Sequence, residues 1–165
     1  MYRPIWLRIL ILFSIVFTVS CGSRPPASPT AMPPATEADF DAAVKEAHST
    51  LGTLRQALLT QKLDYDFIGL KVRFRTPDGS IDDNWTEPID YYDGIFTIRM
   101  IDGLTYNLNE HTDQILNIPL KDVIDWMLVE KGGNLVGGYT IRLEYAHMTP
   151  QEQEKFLKIT GYKIK

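Results

Sequence analysis

The chain has 165 residues, of which 23% are charged and 44% hydrophobic, with 17 Lys and Arg against 21 Asp and Glu and a formal net charge of −4. This acidic balance argues against a nucleic-acid binder, which carries a basic footprint. Its single cysteine, Cys21, cannot close a disulfide within the chain, so the folded part must hold together by core burial.

The first predicted element is an export signal. Arg3 and Arg8 precede an uncharged run, Ile9–Ser20. Its length gives about 18 Å as a helix, well short of the roughly 30 Å of a bilayer core. A basic start, a short apolar stretch and small residues match a signal peptide over residues 1–20 that is removed on export. Thr18-Val19-Ser20-Cys21 resembles the lipobox of bacterial lipoproteins. That resemblance implies cleavage before Cys21, lipidation of its thiol, acylation with fatty acids such as palmitate, and attachment to a membrane. Two or more acyl chains make such an anchor durable. Gly22 after the cysteine resembles the class sorted to the outer membrane, which places the domain in the cell envelope facing the periplasm. Loss of Arg3 and Arg8 takes the formal charge from −4 to −6. Residues 21–35 then carry the lipidated cysteine and a linker, with five of the ten prolines between Pro25 and Pro34. At about 3.1 Å per residue, such a spacer lifts the domain on the order of 40 Å off the lipid.

Residues 36–165 read as a single domain, long enough for one core. Thr36 to Leu59 reads as a helix, capped by Thr36 through the amide of Asp39, with Phe40, Ala43, Ala47, Leu51, Leu54 and Leu58 on one stripe. His48 lies beside the stripe and reads as a surface or boundary residue. Ile68, Leu70, Val72 and Phe74 alternate with polar residues or glycine, the period of a half-buried strand. Pro77-Asp78-Gly79 is turn chemistry. A second strand is expected over Asn84–Tyr91, with Pro88 at an edge or a bulge. Asp93-Gly94 signals a hairpin, and Phe96, Ile98 and Met100 share a face of the strand that follows. Asp102-Gly103 repeats the signal, with Leu104–Asn109 as a further strand. Gln114–Leu120 reads as a short strand, Lys121–Asp125 as a turn or one helical turn, and Trp126–Glu130 as a strand. A hairpin turn at Lys131–Asn134 leads to a return strand. Tyr139–Met148 fits either a strand or a helix. Gly137-Gly138 breaks the strand and favours the helix. The last helix is clear: Thr149 as N-cap, Pro150 at the first helical position, Glu152 three after the cap and Gly161 as stop. Tyr162–Lys165 allows a last edge strand. The sum is an α+β fold, a small curled antiparallel sheet or partial barrel of about five to seven strands with an N-terminal helix and one or two C-terminal helices.

The stretch Asp122-Val123-Ile124-Asp125-Trp126-Met127, then Gly132-Gly133, then Gly137-Gly138-Tyr139-Thr140-Ile141-Arg142, then Thr149-Pro150-Gln151-Glu152 resembles the YegJ-like bacterial proteins, domain-of-unknown-function family 2314. The likeness covers about residues 66–156. The sequence departs from the family pattern at Ile98 and Asp102 and at Thr112-Asp113. The resemblance implies a small α+β domain and no known reaction.

No catalytic constellation emerges. His48, His111 and His147 sit in different elements without metal-ligand spacing. Neither a Gly-x-Ser-x-Gly elbow nor a phosphate loop is present, so no cofactor is expected. The acidic pairs Asp82-Asp83 and Asp90 with Asp93 read as turn residues. Asp122, Asp125, Trp126, Gly137, Gly138, Tyr139, Thr140 and Arg142 form the one candidate group. In one reading Arg142 pairs with Asp122 or Asp125 and locks the Gly-Gly segment. In the other they line a small polar ligand pocket walled by Trp126. The expected function is a non-catalytic binding or structural module tethered to a membrane, contacting an envelope protein or polymer. The alternatives are an immunity-type inhibitor of a toxin or hydrolase, and a hydrolase using Asp122 and Asp125.

Overall fold

The computed structural model describes residues 33–60, 64–76, 78–101 and 114–165. Cys21, the leader and most of the linker lie outside them, as do the expected strand at 104–109 and His111. Six strands form one open antiparallel sheet: β1 (Tyr65–Arg75), β2 (Ile81–Tyr92), β3 (Ile95–Met100), β4 (Ile115–Pro119), β5 (Val123–Glu130) and β6 (Leu135–Gly137), in the order β4-β3-β2-β1-β5-β6. Helices α1 (Glu37–Ser49) and α2 (Leu51–Leu59) precede the sheet, and α3 (Tyr139–His147) and α4 (Pro150–Thr160) follow it. A single 3-10 turn, Leu120–Asp122, leads into β5. The fold is α+β, with helices at both ends of the chain.

The expected first helix is divided in two. Thr50 sits between α1 and α2 at φ −108°, ψ 6°. Its hydroxyl donates back to the carbonyls of Glu46 and Ala47 at 2.9 and 3.2 Å. This local side-chain bonding competes with the continuing helical ladder and bends the chain. The start of α1 is as expected: Thr36 Oγ1 accepts from the Asp39 amide, and the Asp39 carboxylate accepts from the Thr36 amide. Those bonds from Thr36 hold the Asp39 carboxyl below the usual range. Tyr139–His147 is a helix, entered through left-handed backbone at Gly137 and Gly138. Lys163 makes one parallel bridge to Asn134 in place of a full edge strand.

Pro88 lies in an interior strand, next to a register shift between Pro88 and Asp90. The register with β1 runs only as far as Thr86, so Pro88 sits at the β3 side beside a bulge, a position that tolerates proline. Asp82 and Asp83 are strand residues of β2, where turns were expected. Asp83 binds Arg73 across the pair through two bonds of 2.8 Å.

The sheet buries both faces of β5. Ile68, Leu70, Val72, Phe96, Ile98, Val123, Trp126 and Leu128 pack against Ala47, Leu51 and Leu54 of the N-terminal helices. Met127, Val129 and Leu135 pack on the other side with Ile141 of α3 and Phe156 of α4. A register shift pairs Lys71 with Asp125 but Val72 with Val123, leaving Ile124 as the extra residue. This bulge turns Val123 into the first core, while Asp125 stays on the side of Met127.

Candidate functional site

The candidate residues other than Asp122 lie where β5 and β6 meet the start of α3. Asp125 has 0% exposure. Its Oδ1 accepts from the Trp126 amide at 2.7 Å. Its Oδ2 accepts from the Thr140 amide at 2.7 Å and the Thr140 hydroxyl at 2.9 Å. The N-cap of α3 is Gly138, which has no side chain to satisfy the first amides. A carboxylate from the neighbouring strand does this instead, at the end of the helix where negative charge is favoured. Burial pushes the Asp125 carboxyl above its ordinary value, against the lowering effect of its bonds to Thr140, Trp126 and Tyr139.

Thr140 connects this carboxylate to a cation. Lys71 Nζ donates to Thr140 Oγ1 at 3.2 Å, lies over the Trp85 ring at 5.8 Å, and stands 3.9 Å from Glu144. Lys71 is the member of the network that the strand pattern conceals. An alternating strand presents it simply as an outward polar residue, and only α3 folding back over β1 reveals its partner.

Arg142 corrects the expectation of a carboxylate–Arg pair. Its guanidinium donates to three backbone carbonyls: Gly137 at 2.8 Å, Leu135 at 2.6 Å and Lys165 at 2.9 Å. A planar five-donor fork suits this task better than a point charge. Arg142 therefore ties β6, the Gly-Gly turn and the C-terminus together. Asp122 stands apart from the network in the 3-10 turn.

The volume drawn for a ligand pocket is filled. Trp126 is buried, donates from Nε1 to the Ala47 carbonyl at 2.9 Å, and meets the Tyr139 ring edge-on at 6.2 Å. A Cβ on Gly137 would lie 2.8 Å from the Trp126 ring. His48 Nε2 donates to the Val123 carbonyl at 2.7 Å, so this exposed histidine also has a structural partner. Among the described residues no group of three or more His, Cys, Asp or Glu is placed to hold a metal.

The family described as an uncharacterized protein conserved in bacteria, DUF2314, matches residues 37–164. The chain belongs to this family. No curated protein and no solved structure matches the chain. The match takes in every described helix and strand of this DUF2314 domain.

In the DUF2314 domain the Arg142 clamp has a measurable weight. Charge-assisted hydrogen bonds of this type contribute about 1.5–3 kcal/mol each, less where solvent competes. Arg142→Ala is expected to lower stability by about 2–3 kcal/mol in total, read as a Tm lower by about 10 °C. Arg142→Lys should recover only a minor part, because one ammonium cannot reach three diverging carbonyls. A Tm unchanged by Arg142→Ala rules the clamp out.

Proposed function

We propose that this DUF2314 protein, of the YegJ-like kind, is a lipid-anchored envelope protein whose folded domain is a non-catalytic binding module. One observation supports the second half above all: the side chains of Asp125, Trp126, Thr140 and Arg142 are all bonded to the protein's own backbone or side chains. A general acid or base needs a titratable group within reach of substrate. Asp125 is closed to solvent and already accepts three hydrogen bonds, which speaks against its activating a water. The first half rests on the lipobox-like run ending at Cys21.

The surface that suits a partner lies at the opposite part of the sheet. Tyr92 is 82% exposed at the β2–β3 hairpin, and Ile95, its cross-strand neighbour, is 46% exposed. Asp90 and Asp93 beside them are exposed as well. An exposed aromatic flanked by acids suits a protein contact; a toxin or hydrolase held inactive is one such partner.

A single experiment tests both halves. Cells fed a clickable palmitate express the protein with a photo-crosslinking amino acid at position 92. The expected product is membrane-bound, carries the label, and yields a discrete cross-linked species. Cys21→Ser should lose the label and the membrane fraction. Labelling independent of Cys21 overturns the anchor, and irradiation that captures nothing above background overturns the binding surface.

A further inference from the structure

The outer face of α4 carries an apolar groove of about 270 Å³ lined by Met148, Glu152, Lys155, Phe156 and Ile159. Ile159 is 72% exposed, although α4 buries its other face against the sheet through Phe156. The groove lining holds one glutamate and one lysine, and the chain beyond Glu154 is basic. Lysines stand at 155, 158, 163 and 165, and no acid follows Glu154, in a protein of net charge −4. Lys155 and Lys158 are exposed and flank Ile159 on the helix. The glutamate of the groove, Glu152, is engaged in capping, taking the Thr149 amide and hydroxyl at 2.7 and 2.8 Å.

The position of the groove supplies the second argument. The His147 ring bonds the carbonyl of Pro33 through Nδ1. His147 is adjacent to Met148, which lines the groove. The chain coming from Cys21 therefore reaches the folded domain at the rim of this groove. Eleven residues separate the two, and a chain of that length spans at most about 40 Å. An anchor at Cys21 thus holds this face near lipid at high effective concentration.

We propose that the α4 groove docks on an anionic lipid surface, with Ile159 and the edge of Met148 entering the interface above the packed Phe156 ring, and Lys155 and Lys158 meeting lipid phosphates. Apolar side chains flanked by lysines on one helical face are the features that bind an interface of this kind. The proposal rests on the lipid-anchor reading for its biological setting and is tested without the anchor. The probe is the chain from Gly22 to Lys165, which contains both hydrophobic cores and omits the thiol and leader. Its net charge is −6, from −4 less the two leader arginines, so non-specific attraction to anionic vesicles is absent.

Vesicles of phosphatidylcholine alone are compared with vesicles containing 30% phosphatidylglycerol, by co-sedimentation. The expected result is binding to the anionic vesicles only, weakened by salt. Ile159→Asp, and separately Lys155→Glu with Lys158→Glu, should each reduce it about tenfold or more, with far-ultraviolet dichroism and Tm unchanged. Absence of binding, or binding indifferent to both variants, overturns the proposal. An Ile159-dependent dimer without vesicle binding also overturns it and assigns the groove to a second copy. Vesicle binding by a protein that takes no palmitate at Cys21 sinks the anchor alone; a labelled Cys21 with no vesicle binding sinks the docking face alone.

Discussion

Gly137→Ala is expected to unfold the domain or cost it at least about 3 kcal/mol, while Gly52→Ala raises its stability by about 0.5–1 kcal/mol. The two substitutions add the same methyl group. Gly137 has φ +70°, and a Cβ there would lie 2.5 Å from the Trp126 carbonyl oxygen and 2.8–2.9 Å from its ring. Left-handed backbone alone costs a non-glycine residue about 1–2 kcal/mol, and the clash adds to it, because Trp126 is held by Ala47 on one side and Tyr139 on the other. Gly52 lies on the exposed face of α2 with nothing within 4 Å of its Cβ position. There alanine only restricts the unfolded chain and improves helix propensity. Thermal melts of both variants decide the matter. A soluble Gly137→Ala with wild-type Tm shows that the Gly-Gly turn is not wedged against Trp126.

Asp125→Ala is expected to lower stability by about 3 kcal/mol or more at neutral pH, a fall in Tm of roughly 10–15 °C. The substitution leaves the Trp126 and Thr140 amides without an acceptor in a buried site, and leaves the charge of Lys71 without the carboxylate behind Thr140. The pH dependence has a definite sign. Burial raises the folded-state pKa of Asp125 above its unfolded value. Proton binding therefore favours the folded form, and this contribution is complete below the unfolded value of about 3.9. It is lost as pH rises through the raised folded value. The stability gap between wild type and Asp125→Ala is thus largest in acid and narrows as pH rises through that range. Exposed carboxylates such as Asp39 and Glu152, whose pKa values are lowered by their caps, act in the opposite direction but cancel in the difference. Denaturant titrations at several pH values measure it. A gap that widens with rising pH shows that hydrogen bonding outweighs burial at this carboxyl.

Much of the fold was legible because the rules it obeys are local. Thr36 and Thr149 announce their helices through contacts three residues away. Ile68, Leu70 and Val72, and likewise Phe96 and Ile98, show their buried face by simple alternation. Gly137-Gly138 broke the strand pattern, and the chain does turn from β6 into α3 there. Thr50 was missed because a threonine inside a good apolar stripe gives no warning that its hydroxyl will turn back on Glu46 and Ala47. The exposed Ile159 stood off the buried side of α4, but only the packed helix shows that it borders a groove.

The sequence by itself determined the α+β class and the helix caps at Thr36 and Thr149. Only the tertiary structure decided what the residues around Asp125 do. Asp125 and Arg142 share a neighbourhood, and opposite charge suggested a pair. Strand β1 inserts between β2 and β5, and the bulge at Ile124 aims Asp125 at the helix entrance. The carboxylate therefore meets the amides of α3, and the guanidinium meets the carbonyls of β6 and the C-terminus. A buried polar side chain bonds whichever backbone groups the topology leaves unsatisfied beside it, and which groups those are is a property of strands and helices distant in the chain.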